Sequence, residues 1–546
     1  MPLVQFFYEK SREFSLLLIP TTIFVIFVII FPSSPAEDAY ITFRYARNIA
    51  NGKGYVWNSG ENPIWGSTSI LWTLTLAIPV MFGFDIILIA QILGVLIGLL
   101  IIISSYFIMV YPLRLSKAIA VFSCLLLATG SQVVHSMTGF DNLLFTLFMI
   151  TSFGMMCYIT FEERPIGKGE SILCLNCLAL SLTRPEGLIV SFFLLITLCI
   201  VKKGELKHII TRLSLLFVFP IILSYLAFWI YFGYPLPNTF FIKKGNELIY
   251  HRSITTAITY YLYGEIGLLV IVSALWLTQC QKLEFDKFLI LVIPSFTYIV
   301  AYFFISQSQN IVNRFQYPIV PIIVIFFANS INYFFADKLK QITDHKNNGN
   351  IINTIKSDSF PHLLFIIFLL ILFIVSSIYS TISIAPYSEG DDKALVGKVL
   401  FSYSKKSYKI VVSEAGMLPF FSDWIVMDAG GLNDEKIAHN GLSEEYIGEF
   451  NPEIVSFHNY EEQYSINWKN GNPWLKMNYL LYNYAIERNY TLACIIKSFV
   501  QKGIKTEDNG YQWYFIKPNF LDSQEILIKI NNISGVSYFF NGGVFN

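Results

Sequence analysis

The sequence is short of charge. Only 14% of its 546 residues are Asp, Glu, Lys or Arg, against about 25% in an average soluble protein. What charge there is cancels, with 38 basic and 38 acidic residues. A zero balance leaves no electrostatic footprint for nucleic acid, so no nucleic-acid partner is expected. Cysteine is scarce where it would staple a fold. Cys124, Cys157, Cys174, Cys177 and Cys199 lie in apolar runs, and Cys280 ends one. Cys494 is alone in the polar C-terminal region, which can therefore hold no internal disulfide. Cys174 and Cys177 have metal-ligand spacing but no other soft ligand nearby, which reads as packing. Ionisable residues are missing from the middles of the apolar runs; Glu265, near one end, is the exception. A lipid or polysaccharide flippase, or another transporter, is expected to carry midplane charges and repeated halves. Neither is present.

Hydrophobicity fills the space that charge leaves: 54% of residues are hydrophobic and 16% aromatic, and mean hydropathy is +0.54. That composition predicts a polytopic α-helical membrane protein. Apolar runs recur at Phe14–Phe31, Ile70–Phe82, Ile86–Tyr111, Ala118–Val134, Asn142–Thr160, Ile172–Leu182, Leu188–Val201, Leu213–Tyr231, Tyr260–Thr278, Phe288–Ile305, Phe315–Phe335 and His362–Ala385. Phe14–Phe31 reads as an uncleaved anchor, since so many spans follow it. Basic loops mark the cytoplasmic side. All six of them (Lys10/Arg12, Arg114/Lys117, Arg164/Lys168, Lys202 to Arg212, Lys282/Lys287 and Lys338 to Lys356) fall inside if Ile70–Phe82 does not span. At about 13 residues that run is short for a ~30 Å hydrocarbon core, so it reads as interfacial or re-entrant. About eleven transmembrane helices remain. Residues 1–386 form the membrane module, with a first outer loop at 32–69, and 387–546 form an extracytoplasmic domain.

This threading gathers five polar segments on the outer face: "EDAYITFRYARN", "HSMTGFDN", "TRPEG", "YPLPNTFFIKK" and "SQSQNIVNRF". In the first, Ile41, Tyr45 and Ile49 fall on one helical face. Arg44, Arg47, Asn48 and Asn51 fall on the other, and Gly52 and Gly54 end the pattern. An amphipathic helix lying on the membrane is expected, with Glu37-Asp38 at its start. Taken alone, Asp38 is as well explained as a helix cap, Asp141 as another, Arg184-Pro185-Glu186 as a hairpin corner with a local ion pair, and Lys243, Lys244 and Arg314 as snorkelling side chains. Taken together, they set one or two carboxylates and several cations at one membrane surface. A cation can hold a phosphate leaving group and a carboxylate can take a proton from an attacking hydroxyl. That combination suits a reaction on a lipid-linked phosphate.

With these motifs in hand, the chain resembles the GT-C membrane glycosyltransferases that use polyprenyl-phosphate sugars. It is most similar to the subgroup typified by actinobacterial terminal β-(1,2)-arabinofuranosyltransferases. The resemblance rests on "EDAYITFRYARNIANGKGYVWNSGE", "STSILWTLTLA", "TGFDNLLF", "SLTRPEG", "LPNTFFIK", "NRFQYPIVP" and "VVSEAGMLPFFSDWIVMDAGGLNDEKIAH", and covers roughly residues 30 to 460. It implies a GT-C fold in a bacterial inner membrane, with the active site facing outward. It further implies transfer of a sugar, arabinofuranose in that subgroup, to a glycan, lipid-linked glycan or protein acceptor. Asp38 takes the general-base position, and Glu37 stands where the family often has a first aspartate. Asp141 and Asn142 stand where it usually has Glu and Thr. Arg44 lies in the first motif. Arg184, Glu186, Asn238, Lys243 and Arg314 fall on positions implied to bind phosphate or sugar. A divalent metal ion is compatible with this chemistry, although the sequence offers no dedicated cage for one.

The tail reads as α/β. "KIVVSEAG", "WIVMDAGGLND" and "PEIVSF" each predict a strand, and the lone Gly-Gly is no nucleotide signal. The resemblance makes this domain a cap that helps bind acceptor glycan, with Asp428, Asn433, Asp434 and His439 as sugar contacts. Read as residues alone, the same four are turn residues that hold the loop. A non-catalytic scaffold that binds glycan through this domain is the other reading, and it would need no carboxylate at Asp38.

Overall fold

The computed structural model describes residues 2–161, 167–244, 255, 258–259, 285–303, 310–332, 371, 374–390, 392–461, 473–503, 505–533, 537–538 and 544–545. Among these, four helices are long and apolar enough to cross a membrane: Ile86–Val110, Asn142–Phe161, Lys203–Phe232 and Ile311–Asn332. Shorter apolar helices occupy Ser15–Ile30, Ile70–Met81, Lys117–Thr129, Pro185–Val201 and Ile374–Ile384. The predicted run Tyr260–Thr278 lies outside the described residues. The helix at Ile70–Met81 has 12 residues and is capped by the Ser69 hydroxyl, which accepts from Trp72 N–H. At 1.5 Å per residue it covers about 18 Å, too little to span. Helix Ile311–Asn332 runs through the middle of the bundle, with Phe315, Tyr317, Ile319, Ile322 and Ile325 buried.

Helix α1 (Pro2–Ile30) leads through a short loop into α2 (Ala39–Ala50). The amphipathic pattern read for α2 is present, but its setting is not a water-facing membrane surface. Arg44 and Asn48, on the polar stripe, are buried. What covers them is the C-terminal part of the chain.

That part is built on a six-stranded sheet: β1 (Tyr387–Glu389), β2 (Lys409–Val412), β3 (Ile425–Asp428), β4 (Ile454–Asn459), β5 (Thr491–Lys502) and β6 (Lys505–Ile516), in the order β1-β5-β6-β4-β2-β3. Strands β2, β3 and β4 are the three predicted from sequence. They are parallel, whereas β4–β6, β5–β6 and β1–β5 are antiparallel. The parallel strands are covered on both faces, which is why they read as unbroken apolar runs. Val411, Val455 and Phe457 pack with Leu481 and Tyr484 on one face. Ile410, Val412 and Ile454 share the opposite core with Tyr45, Tyr55, Trp57 and Trp65 of the segment that follows α1. The loop and the sheet therefore form one core. Asn58 closes the open edge of β3: its Oδ1 accepts from Val426 N–H at 2.9 Å and its Nδ2 donates to Val426 O at 2.9 Å. Unpaired edges are a liability that proteins cover in such ways.

Arg44 is the tie through this core. Its Nε donates to Trp57 O at 2.9 Å, Nη1 to Pro419 O, and Nη2 to Trp424 O at 2.8 Å and Asn58 Oδ1 at 3.0 Å. Its guanidinium carbon lies 4.6 Å from the Trp57 ring centroid. Replacing Arg44 with Ala removes four buried hydrogen bonds; Asn58 Oδ1 keeps Val426 N–H and Trp57 O keeps Asn48 Nδ2 as donors, and the loss of the other two bonds with the guanidinium's packing predicts about 3 kcal/mol. Arg44→Lys recovers little of it, because an ammonium lacks the planar fork. Thermal unfolding of the full protein in detergent measures both variants.

Candidate active site

Asp38 sits at the N-cap position of α2, yet its side chain makes no cap hydrogen bond. The first amides of the helix are taken by backbone carbonyls instead: Ala39 N–H by Ala36 O, Tyr40 N–H by Glu37 O and Ile41 N–H by Asp38 O. The carboxylate turns to Arg314, whose Nη2 is 3.0 Å from Asp38 Oδ2. The Asp38 side chain remains 27% exposed, and its other oxygen has no protein donor among the described residues. Arg314 lies flat against Phe140, 4.0 Å from the ring centroid. It is delivered by a turn in which Val312 and Asn313 both adopt positive φ, 54° and 58°. The turn is held by Asn310, whose Oδ1 accepts from Phe315 N–H and whose Nδ2 donates to Gln316 Oε1.

The next residue after Phe140 opens a second ion-pair group. Asp141 Oδ1 is 3.3 Å from Arg184 Nη1, and Arg184 Nε is 3.5 Å from Glu186 Oε2. Tyr302 accepts from Arg184 Nη2 and donates to Glu186 Oε1. Arg184 and Arg314 flank one ring, Phe315, at 5.5 and 5.2 Å. The two groups thus adjoin through Phe140-Asp141 and Phe315. The turn before them needs Gly139: its φ is +77°, and a Cβ there would come within 2.8 Å of the Phe43 ring of α2. Five of the residues singled out in the sequence, Asp38, Asp141, Arg184, Glu186 and Arg314, come together here.

The others stand elsewhere. Glu37 faces the C-terminal domain. Its Oε1 accepts from Gly416 N–H at 3.1 Å and Met417 N–H at 2.9 Å, capping the short helix Met417–Ser422. Burial pushes its carboxyl up, against the pull of Lys393. Arg44 is committed to the core described above, so the sequence reading of it as a substrate ligand meets a buried guanidinium whose three nitrogens all donate to protein acceptors. Asp428 accepts from Gly430 N–H, Asn433 N–H and Asn433 Nδ2, and so holds the Gly430-Gly431 turn. Asp434 caps the helix Glu435–Asn440 through Ile437 N–H and accepts from Tyr446 O–H. His439 stacks on Tyr234 at 4.5 Å. Asn238 N–H donates to Trp65 O, at the start of the helix Asn238–Lys244; the Lys243 side chain lies outside the described residues.

Sequence reasoning missed several groups. His135 Nδ1 is 2.9 Å from Asn142 Nδ2, and its ring packs against Tyr317, tilted by 45° with centroids 4.4 Å apart. Tyr317 O–H donates to Gln132 Oε1, tying "TGFDN" to the helix that carries Arg314. Tyr302 also carried no sequence signal. The residues do not fit a metal ion. Asp38 and Asp141 are each committed to a guanidinium, and among the described residues no three His, Cys, Asp or Glu side chains gather as ligands would.

Comparison with known proteins agrees on the fold. Residues 387–515 match a family model described as a domain of unknown function (DUF8728). No curated protein matches the chain by sequence. Known structures do match. The archaeal oligosaccharyltransferase AglB from Archaeoglobus fulgidus, in complex with an inhibitory peptide and a dolichol-phosphate, is similar at TM-score 0.54 and 10% identity, over 92% of this chain and 74% of that one. The Archaeoglobus fulgidus oligosaccharyltransferase tethered to an acceptor peptide containing the NVT sequon gives 0.52 and 10%, over 83% and 69%. ArnT from Cupriavidus metallidurans in the apo state gives 0.50 and 10%, over 97% and 99%. At such identities the likeness is one of fold. The chain shares the GT-C fold of these structures.

The Asp428 turn carries a pH signature. Burial pushes its carboxyl up from 3.8 to about 6, against the three N–H donors that favour the anion. Between those values the folded chain holds a proton that the unfolded chain has released, so stability falls as pH rises. Its contribution is complete below about pH 4 and is lost through about pH 6, some ~3 kcal/mol in all. Unfolding free energy measured across this range falls more steeply for wild type than for Asp428→Asn.

Proposed function

We propose that this chain is an integral-membrane inverting glycosyltransferase of a bacterial inner membrane. It moves a sugar from a polyprenyl-phosphate donor to a glycan, lipid-linked glycan or protein acceptor on the outer face. In this reading eleven helices span the membrane and residues 387–546 lie outside. The observation that carries it is the Asp38–Arg314 pair: a carboxylate at a helix start that does not cap the helix, half-open, beside a second arginine group and at the ends of apolar helices. The sequence motifs point to arabinofuranose as the sugar. Among the structures with this fold, the archaeal oligosaccharyltransferase carries a dolichol-phosphate, a ligand of the class proposed here.

The chemistry follows from the groups present. The acceptor hydroxyl gives its proton to the open oxygen of Asp38, and its own oxygen attacks the anomeric carbon. The bond from that carbon to the phosphate oxygen breaks on the opposite face, and its electron pair leaves with the lipid phosphate. The anomeric centre is inverted. Arg314 orients Asp38, and with Arg184 supplies positive charge for the departing phosphate. Glycoside hydrolases need a second carboxyl to protonate a poor leaving group; a phosphate leaves without one. Asp141 and Glu186 are then free to fix Arg184. Asn238, Lys243 and Glu186 are the remaining candidates for donor contacts. Asp428 and Asn433 shape the loop beside the acceptor, and Glu37 serves the fold.

Purified protein is offered a panel of short-chain polyprenyl-phosphate sugars with a cell-envelope acceptor extract. One donor is consumed by wild type, and Asp38→Asn, folded, is slower by about a hundredfold or more, the usual worth of a general base. Equal activity in the two proteins removes Asp38 from the base position. Binding of polyprenyl lipid without turnover of any donor favours a flippase instead.

A further inference from the structure

The segment that presents Asp38 is gripped from the C-terminal domain. Ser34 N–H donates to Tyr387 O at 2.7 Å, and Tyr387 N–H donates to Ser33 Oγ at 2.9 Å. The amide of Glu37, one residue before Asp38, donates to Glu389 Oε1 at 3.2 Å, and Tyr387 O–H donates to the same oxygen at 2.6 Å. Behind Glu389 stands Lys393, 5% exposed at its side chain, 2.6 Å from Glu414 Oε2 and 3.9 Å from Glu37 Oε2. From the opposite side Ala36 N–H donates to Thr138 O, just before Phe140 and Asp141. Gly416 leaves no slack: a Cβ on it would come 2.1 Å from Glu37 O.

An Asp at a helix N-cap ordinarily accepts from the amides of the first turn. Asp38 does not, because its own backbone is already helical, φ −62° and ψ −22°. The Ala36–Asp38 turn is wound one step early, and the bonds that hold it there come from β1 and from the Thr138 carbonyl. We propose that Glu389, with Tyr387 and Lys393, is a positioning residue of the active centre: it holds the Glu37 amide so that the Asp38 carboxylate faces Arg314 instead of folding back to cap α2. The inference rests on the reading of Asp38 as the base. It makes the C-terminal domain part of the catalytic apparatus and not only a cover for the acceptor. Glu389 and Lys393 touch no substrate in this account. They act through the backbone of Glu37 and the Glu37 carboxylate.

The test uses full-length protein and five variants: Glu389→Met, Glu389→Gln, Lys393→Met, Lys393→Arg and Tyr387→Phe, with Asp38→Asn alongside. Two readouts are taken, donor kinetics and amide hydrogen exchange of residues 36–41. Misplacing a base by a fraction of an ångström slows the chemical step without loosening the donor. Glu389→Met removes the acceptor, and it and Lys393→Met are therefore expected to lower kcat about tenfold or more, with donor KM changed less than about threefold. Exchange at residues 36–41 quickens in both. Glu389→Gln, which keeps an acceptor oxygen for the Glu37 amide, and Lys393→Arg restore most of kcat. Wild-type kcat and wild-type exchange in Glu389→Met and Lys393→Met overturn the proposal, and if Asp38→Asn is inactive in the same series the base reading survives that failure. If Asp38→Asn proves active, the base reading falls and exchange alone decides: faster exchange supports the positioning role, unchanged exchange overturns it. Should the two stronger variants not fold, Tyr387→Phe decides. A lower kcat at unchanged KM supports the proposal, and wild-type kcat overturns it.

Discussion

Arg44 and Glu37 cross in opposite senses between the segment that follows α1 and the C-terminal domain, and the rest of the molecule depends on that exchange. Arg44 sends its guanidinium from α2 to the carbonyls of Pro419 and Trp424. Glu37 sends its carboxylate to the amides of Gly416 and Met417. Both groups are thereby hydrogen-bonded in a region from which water is excluded, a condition buried polar groups must meet. Around them Tyr45, Trp57 and Trp65 share a core with Ile410, Val412 and Ile454. Each such side chain gains about 1.5–3 kcal/mol from burial, so the loop is fixed by the sheet and the sheet by the loop.

The consequence for the site is a carboxylate with little freedom. Asp38 follows Glu37 directly and is paired with Arg314. Phe140 supports Arg314, and its neighbour Asp141 supports Arg184. One turn, "TGFD", therefore sets the spacing of both arginines. Ion pairs between partly buried partners exchange readily for a better anion when one arrives, because an arginine fork matches phosphate as well as carboxylate.

Much of this was legible in the sequence, and what was not has a common cause. Apolar runs, the short Ile70–Met81 helix and strands β2 to β4 follow from local pattern. So does the gathering of Asp38, Asp141, Arg184, Glu186 and Arg314, since the basic loops put their segments on one face. The fate of Arg44 was not legible. The polar stripe of an amphipathic helix looks the same under water and under a polar lid, and the lid is supplied by residues 375 and 380 positions away. Glu37 and Glu389 meet across 352 positions, beyond any periodicity. Asp428 and Asn433 carried a motif signal that their hydrogen bonds spend inside one loop. The β5–β6 hairpin went unread because its strands mix charged and apolar residues without strict alternation.

The role of the two arginine groups turns on where the lipid phosphate binds. An experimental structure of the full protein with a short-chain polyprenyl phosphate locates it directly. Phosphate oxygens are expected within hydrogen-bonding distance, about 3 Å, of the Arg314 or Arg184 guanidinium, with Asp38 on the side away from the lipid chain. A phosphate held on the far side of the bundle from Asp38, with both arginine pairs intact, would contradict that role.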